Sequence, residues 1–406
     1  MRGWVMGEFP LSGDDGHPAL FLLQVPQRPL EATGCLARLP AGPAATLAER
    51  VKAFFAESRP GPAVLVGALP FDPHADDALY QPARLAAPLP ASAGAPPALA
   101  GGIVAEPSAD AYADMVARGL ACLGAGEDAP RKLVLARSLA MRATRAVDPR
   151  VLAARLGRDP GVVAYVAPLP VGDGEAPAWL VGASPELLVS RRGLVIESHP
   201  LAGSARRCAD AGEDQRTARS LLDSAKDLDE HRYVVEAIAD ALAPLCSTLD
   251  VPARPSLHAT ATMWHLGTRI TGTLKHPAPS AAALAALLHP TPAVCGTPRA
   301  AALAAIQALE PVERGFYAGA VGWTDAAGDG DWYVAIRCAR VQGANLRLFA
   351  GAGIVAGSRP ADEVAETAGK FLAMLNALGI RDEGVSDTQG EGHVAAQRPS
   401  LQGLSL

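Results

Sequence analysis

Strand-like runs recur along this chain without the regular strand–helix alternation that a parallel sheet requires. They fall at 19–25, 35–39, 63–69, 132–139, 179–183, 194–197, 333–340 and 346–350, the last two flanking a turn at Gly343 and Asn345. Helical spacing appears in only a few places. Ser108 is a predicted N-cap for Tyr112, Met115, Val116, Leu120 and Leu123. The longest helical pattern runs over 213–242 and stops before Pro244. Further helices are expected at 300–309 and 360–378. Strands and helices mixed this way predict an α+β fold, with large antiparallel or mixed sheets flanked by helices. Residues 84–107, rich in Pro and Ala, read as a connecting loop. Residues 1–18 are expected to be frayed and 381–406 to be a disordered tail. Between them, 19–107 reads as the N-terminal part of one large domain and 108–380 as its core.

With 406 residues, 49% of them hydrophobic, the chain can bury a large core. A formal net charge of -6 argues against nucleic acid, which needs clustered Lys and Arg. No signal-like N-terminus is present, and the longest apolar runs, such as 63–69 and 281–288, are too short to span a membrane. A cytoplasmic protein with no membrane partner is expected. Six scattered cysteines show no zinc or redox spacing, so buried free thiols are the simpler reading.

Several residues stand out chemically. Glu363, Glu366 and Lys370 share one face of the last helix. They suit a hard cation and a carboxylate, though spacing alone favours a solvated face with an ordinary ion pair. Glu230 lies on an apolar stripe with Tyr233, Val234 and Ile238, where a carboxylate must be paired, protonated or metal-bound. Lys132 points with Val134 and Ala136 along its strand. A lysine facing a closed pocket suits a base; one at a strand end can also reach water. Glu186, after Ser184-Pro185, is either an acid at a strand end or a turn cap. His265 reads as a core or site histidine, and Arg337, inside a strand, as an ion pair or an anion site. Gly351-Ala352-Gly353 could offer backbone N–H groups to a carboxylate, or form a plain turn.

In order and type these residues resemble one family, the chorismate-utilising enzymes, and within it the isochorismate synthases of the siderophore type. The likeness runs from about 20 to 380. It is carried by Val-Gly-Ala-Leu-Pro-Phe-Asp-Pro (66–73), Lys-Leu-Val-Leu-Ala-Arg (132–137), Gly-Ala-Ser-Pro-Glu-Leu-Leu (182–188) and Pro-Leu-Ala-Gly-Ser-Ala-Arg-Arg (200–207). Lys-Asp-Leu-Asp-Glu-His (226–231), Trp-His-Leu (264–266) and His-Pro-Thr-Pro-Ala-Val-Cys-Gly (289–296) continue it. Gly-Ala-Val-Gly-Trp (319–323), Ile-Arg-Cys-Ala (336–339), Ala-Gly-Ala-Gly-Ile-Val (350–355) and Glu-Thr-Ala-Gly-Lys (366–370) complete it.

The resemblance implies a fold like that of anthranilate synthase component I. It implies an exchange of hydroxyl positions on chorismate: water attacks C2 while the C4 hydroxyl leaves. Lys132 is the implied base and Glu186 the implied acid. Glu230 and Glu366 are the implied Mg²⁺ ligands, with Glu363 acting directly or through water. Gly203 and Ser204 are the implied contacts to the ring carboxylate, and Arg337 and the Gly351 amide those to the enolpyruvyl carboxylate. Lys370 adds positive charge, and His265, Ala293 and Val294 belong to the implied pocket. Lys132 favours water over ammonia as nucleophile, so no glutaminase subunit is expected, and a monomer is. Val294 stands where the family carries leucine, Tyr317 differs from close relatives, and Arg232 stands where an acidic residue is frequent. A salicylate synthase, which goes on to eliminate pyruvate, and a catalytically silent chorismate-binding protein are the alternatives.

Overall fold

The computed structural model describes residues 19–26, 28–86, 94–124 and 129–380. The expected frayed start and disordered tail lie outside the described residues. In chain order the first elements are β1 (Leu20–Leu23), β2 (Leu30–Arg38), α1 (Leu47–Ala56), β3 (Val64–Leu69), β4 (Ala78–Ala86), β5 (Val104–Glu106) and α2 (Ala109–Cys122). Then come β6 (Lys132–Arg142), α3 (Pro149–Leu156), β7 (Val163–Leu169), β8 (Ala178–Ser184), β9 (Leu187–Arg192), β10 (Val195–His199) and β11 (Leu201–Arg206). They are followed by α4 (Ala211–Asp223), α5 (Ala225–Leu242), β12 (Cys246–Asp250), β13 (Ser256–Ala259), β14 (Met263–Gly267), β15 (Ile270–Leu274) and α6 (Ala281–Leu288). The last are β16 (Gly296–Thr297), α7 (Arg299–Leu309), β17 (Ala320–Asp325), β18 (Gly330–Val334), β19 (Cys338–Gln342), β20 (Asn345–Ile354) and α8 (Pro360–Ala377).

The strand pairings of the described residues are all antiparallel. One long ribbon runs β6–β20–β19–β8–β7–β1–β2–β4. It continues β4–β3–β17–β18–β9–β10–β15–β12. β5 and β16 share the other edge of β6. A second, small sheet is β11–β14–β13. The architecture is the α+β class expected, realised as one large curled antiparallel sheet flanked by helices.

Alternation along the strands builds the core. Leu139 and Met141 of β6 and Leu346 and Leu348 of β20 pack against Leu152 and Leu156 of α3 and Phe371 and Leu375 of α8. Each buried Leu or Phe contributes about 1.5–3 kcal/mol, so this apolar contact fixes α8 on the sheet. Among the described residues, no helix is long and apolar enough to cross a membrane.

Four local expectations need correction. The pattern over 213–242 is two helices, because Ser224 leaves helical geometry and its Oγ accepts the Asp227 N–H at 3.3 Å, capping α5. The run over 333–340 is broken where Arg337 takes φ +52°, separating β18 from β19. The region 84–107 is not all loop: β4 runs to Ala86, and β5 pairs with β6. The turn between β19 and β20 lies at Gly343, with φ +58°, and Ala344, so Asn345 already belongs to the strand. Ser108 does cap α2, accepting the Ala111 N–H at 3.3 Å.

Candidate active site

The cavity opens where β6 and β20 run side by side. In this register Gly353 pairs with Val134 and Gly351 with Ala136. The two glycines make room. A Cβ on Gly353 would lie 2.0 Å from Glu230 Oε1, and one on Gly351 would lie 3.0 Å from the Tyr317 hydroxyl. On the facing side Gly203 of β11 takes φ +77°, and a Cβ there would meet Asp227 Cβ at 3.0 Å. Small residues thus bring two strands and α5 around one space.

Ten of the residues singled out in the sequence line this space: Glu186, Gly203, Ser204, Glu230, His265, Ala293, Val294, Arg337, Gly351 and Lys370. Lys132, Glu363 and Glu366 stand behind it. Lys132 is fully buried, and its Nζ lies 3.1 Å from Glu230 Oε1 in an ion pair without hydrogen-bond alignment. Glu366 Oε1 accepts from Ser204 Oγ at 3.1 Å and from Lys370 Nζ at 2.5 Å. Lys370 also donates to the Gly351 carbonyl at 2.9 Å. Glu363, fully buried, accepts from Lys226 Nζ at 2.8 Å. Arg337 Nη2 lies 3.4 Å from His265 Nε2.

Burial sets the charge states. It pushes the Glu186 carboxyl up to about 7, against the opposing pull of the Leu201 backbone and the charges of Lys132, Arg337 and Lys370. Burial also raises Glu363 to about 7, helped by the neighbouring Glu366 and resisted by Lys226. Burial would raise Glu366 too, but the Lys370 ammonium beside it holds it below the usual carboxylate range. His265 is driven well below its ordinary value by burial and by Arg337, so it faces the arginine as a neutral ring. The cavity therefore joins one carboxyl poised near neutrality, an amine at its back, and cations suited to an anionic ligand.

Among the described residues no three His, Cys, Asp or Glu side chains form a ready-made ligand shell. Each of the three carboxylates holds a lysine instead. The donor chemistry nonetheless fits a hard cation: all donors are carboxylate oxygens, and Glu363 Oε2 is buried with no hydrogen-bond partner. Sequence reading did not single out Lys226 or Asp227. Lys226 lies one helical turn before Glu230, a spacing that could have signalled a shared face. Asp227 is raised by burial, with Glu230 adding to the effect. Arg232 lies outside the site, paired with Asp229 and Glu236 on the surface.

Comparison with protein families matches residues 90–379 to the chorismate binding enzyme family. Isochorismate synthase DhbC of Bacillus subtilis is 43% identical over 385 residues, covering 90% of this chain and 94% of its own. A crystal structure from Bacillus anthracis, assigned as a 2,3-dihydroxybenzoate-specific isochorismate synthase, DhbC, superposes with a TM-score of 0.83 at 42% identity, covering 89% of this chain and 96% of that one. Anthranilate synthase component I of Streptococcus pneumoniae, at 19% identity and a TM-score of 0.64 over 92% of this chain and 93% of its own, shares the fold.

Proposed function

The chain belongs to the chorismate-binding enzyme family, and on that premise we propose that it is a magnesium-dependent isochorismate synthase. The observation that carries this reading is Glu186, enclosed in the cavity with its carboxyl raised by burial to about 7, with Lys132 buried behind the same cavity. One group can then deliver a proton near neutral pH while another takes one.

In this reading Lys132, having given up its ion pair with Glu230 and lost its proton to solvent, acts as a neutral amine and takes the proton of the water that attacks C2. Glu186 gives its proton to the departing C4 hydroxyl, and the ring double bonds shift between the two positions. Arg337 presents its planar fork to the enolpyruvyl carboxylate beside the Gly351 amide. Gly203 and Ser204 face the ring carboxylate. Glu230, Glu363 and Glu366 would hold Mg²⁺, which when bound neutralises that carboxylate. Lys370 adds positive charge at the same end. Residues 108–380 form the catalytic core, and 19–107 complete one large domain, a reading supported by β2, β3 and β4 lying within the same ribbon. A base matched to water has no need of a glutaminase subunit.

The test is chromatography of chorismate incubated with enzyme and Mg²⁺. Isochorismate without pyruvate is the expected product. Salicylate with pyruvate would place the chain among the salicylate synthases, and tight chorismate binding without turnover would make it a silent binder.

A further inference from the structure

Each of three site carboxylates holds one lysine: Glu230 holds Lys132, Glu366 holds Lys370 and Glu363 holds Lys226. Lys370 lines the cavity, and Lys132 stands behind it against Glu230. Lys226 does neither. It sits in the first turn of α5, and its ammonium acts first on Glu363 and then on Glu366 and Glu230. Its charge thus reaches beyond its own partner to the other two carboxylates proposed to hold metal.

Its exposure is equally distinctive. The Lys226 side chain is 27% exposed, against 0% for Lys132 and 13% for Lys370. The Lys226 side chain thus has access to water. Glu363 does not: its side chain is fully buried and its second oxygen has no hydrogen-bond partner. While ionised, a buried carboxylate needs a counter-charge, and Lys226 supplies it here.

We propose that Lys226 is a placeholder cation. It neutralises Glu363 in the metal-free chain, competes with the divalent ion for that carboxylate, and so sets metal affinity. The proposal rests on the assignment of Glu230, Glu363 and Glu366 to metal.

The test is titration of the full chain with Mn²⁺, following free Mn²⁺ by electron paramagnetic resonance, with thermal melts in parallel. Lys226→Met and Lys226→Gln should bind Mn²⁺ about tenfold more tightly, the effect one neighbouring charge has on proton affinity. Both should melt lower than the parent without metal and gain more from it. Lys226→Arg keeps the charge and should bind like the parent. Should the Met variant fail to fold, the Gln variant, which can still donate to Glu363, carries the comparison. Unchanged or weaker binding in the neutral variants would overturn the placeholder role while leaving the metal site standing. Equal tightening by Lys226→Arg would also overturn it, since bulk rather than charge would be responsible. No binding by the parent or any variant would remove the metal-site assignment, and the placeholder with it.

Discussion

Lys132 Nζ and Glu230 Oε1 lie 3.1 Å apart, joining the first residue of β6 to α5, with side chains 0% and 6% exposed. Removing one partner of such a buried pair leaves the other uncompensated, at a cost of roughly 3–5 kcal/mol. Lys132→Met should therefore lower the melting temperature and, separately, reduce turnover by about 10²-fold or more through loss of the base. Assays well below the variant's melting point separate the two effects. A folded variant with undiminished turnover would remove Lys132 from the chemistry.

Glu186 makes a pH-dependent contribution of known sign. Folding raises its carboxyl from 4.5 to about 7, so between those values the folded chain holds a proton that the unfolded chain has lost. That stability is full below about 4.5 and disappears as pH rises through 7, a span on the order of 3 kcal/mol. Glu186→Gln should lose turnover by about 10²-fold or more, yet resist urea better than the parent at pH above 7 and no better at pH below 4.5. Identical urea midpoints across the whole range would contradict the raised value.

Gly353 is the one position on β20 where a methyl group strikes a proposed metal carboxylate, at 2.0 Å from Glu230 Oε1. Glu230 is a buried residue of α5 whose carboxylate is paired with Lys132, so it has little room to swing away. Gly353→Ala should cost about 1–3 kcal/mol of stability by overpacking and reduce turnover and Mn²⁺ binding together. Wild-type turnover in the variant would show that the position of Glu230 is immaterial.

Arg337 combines φ +52° with a half-buried guanidinium beside the neutral His265. Arg337→Lys keeps the charge but loses the planar fork. KM for chorismate should rise by about tenfold or more, the worth of one charge-assisted hydrogen bond, with a smaller change in kcat. An unchanged KM would move the anion contact elsewhere.

What the sequence made legible was periodic or local. The Ser108 cap, the shared face of Glu363, Glu366 and Lys370, and the inward row of Lys132 and Val134 follow from helix and strand geometry alone. Two features escaped because tertiary structure outweighed local pattern. Ser224 looks like one more polar residue in a helical run, and only its extended backbone between α4 and α5 makes it a cap. Arg337 sits in an unbroken strand-like run and leaves it only where the site requires a guanidinium. Lys226 escaped for another reason: its partner Glu363 lies 137 residues away, and no spacing rule links them. Likewise, the glycines of 350–355 reveal their purpose only once Glu230 and Tyr317 are seen against them.

The most direct test of the central claim is to run the reaction with chorismate and Mg²⁺ in oxygen-18 water and analyse the products by mass spectrometry. If Lys132 activates water for attack at C2 while Glu186 releases the C4 hydroxyl, isochorismate should carry one heavy oxygen, located at C2. Unlabelled isochorismate, or salicylate with pyruvate in its place, would contradict it.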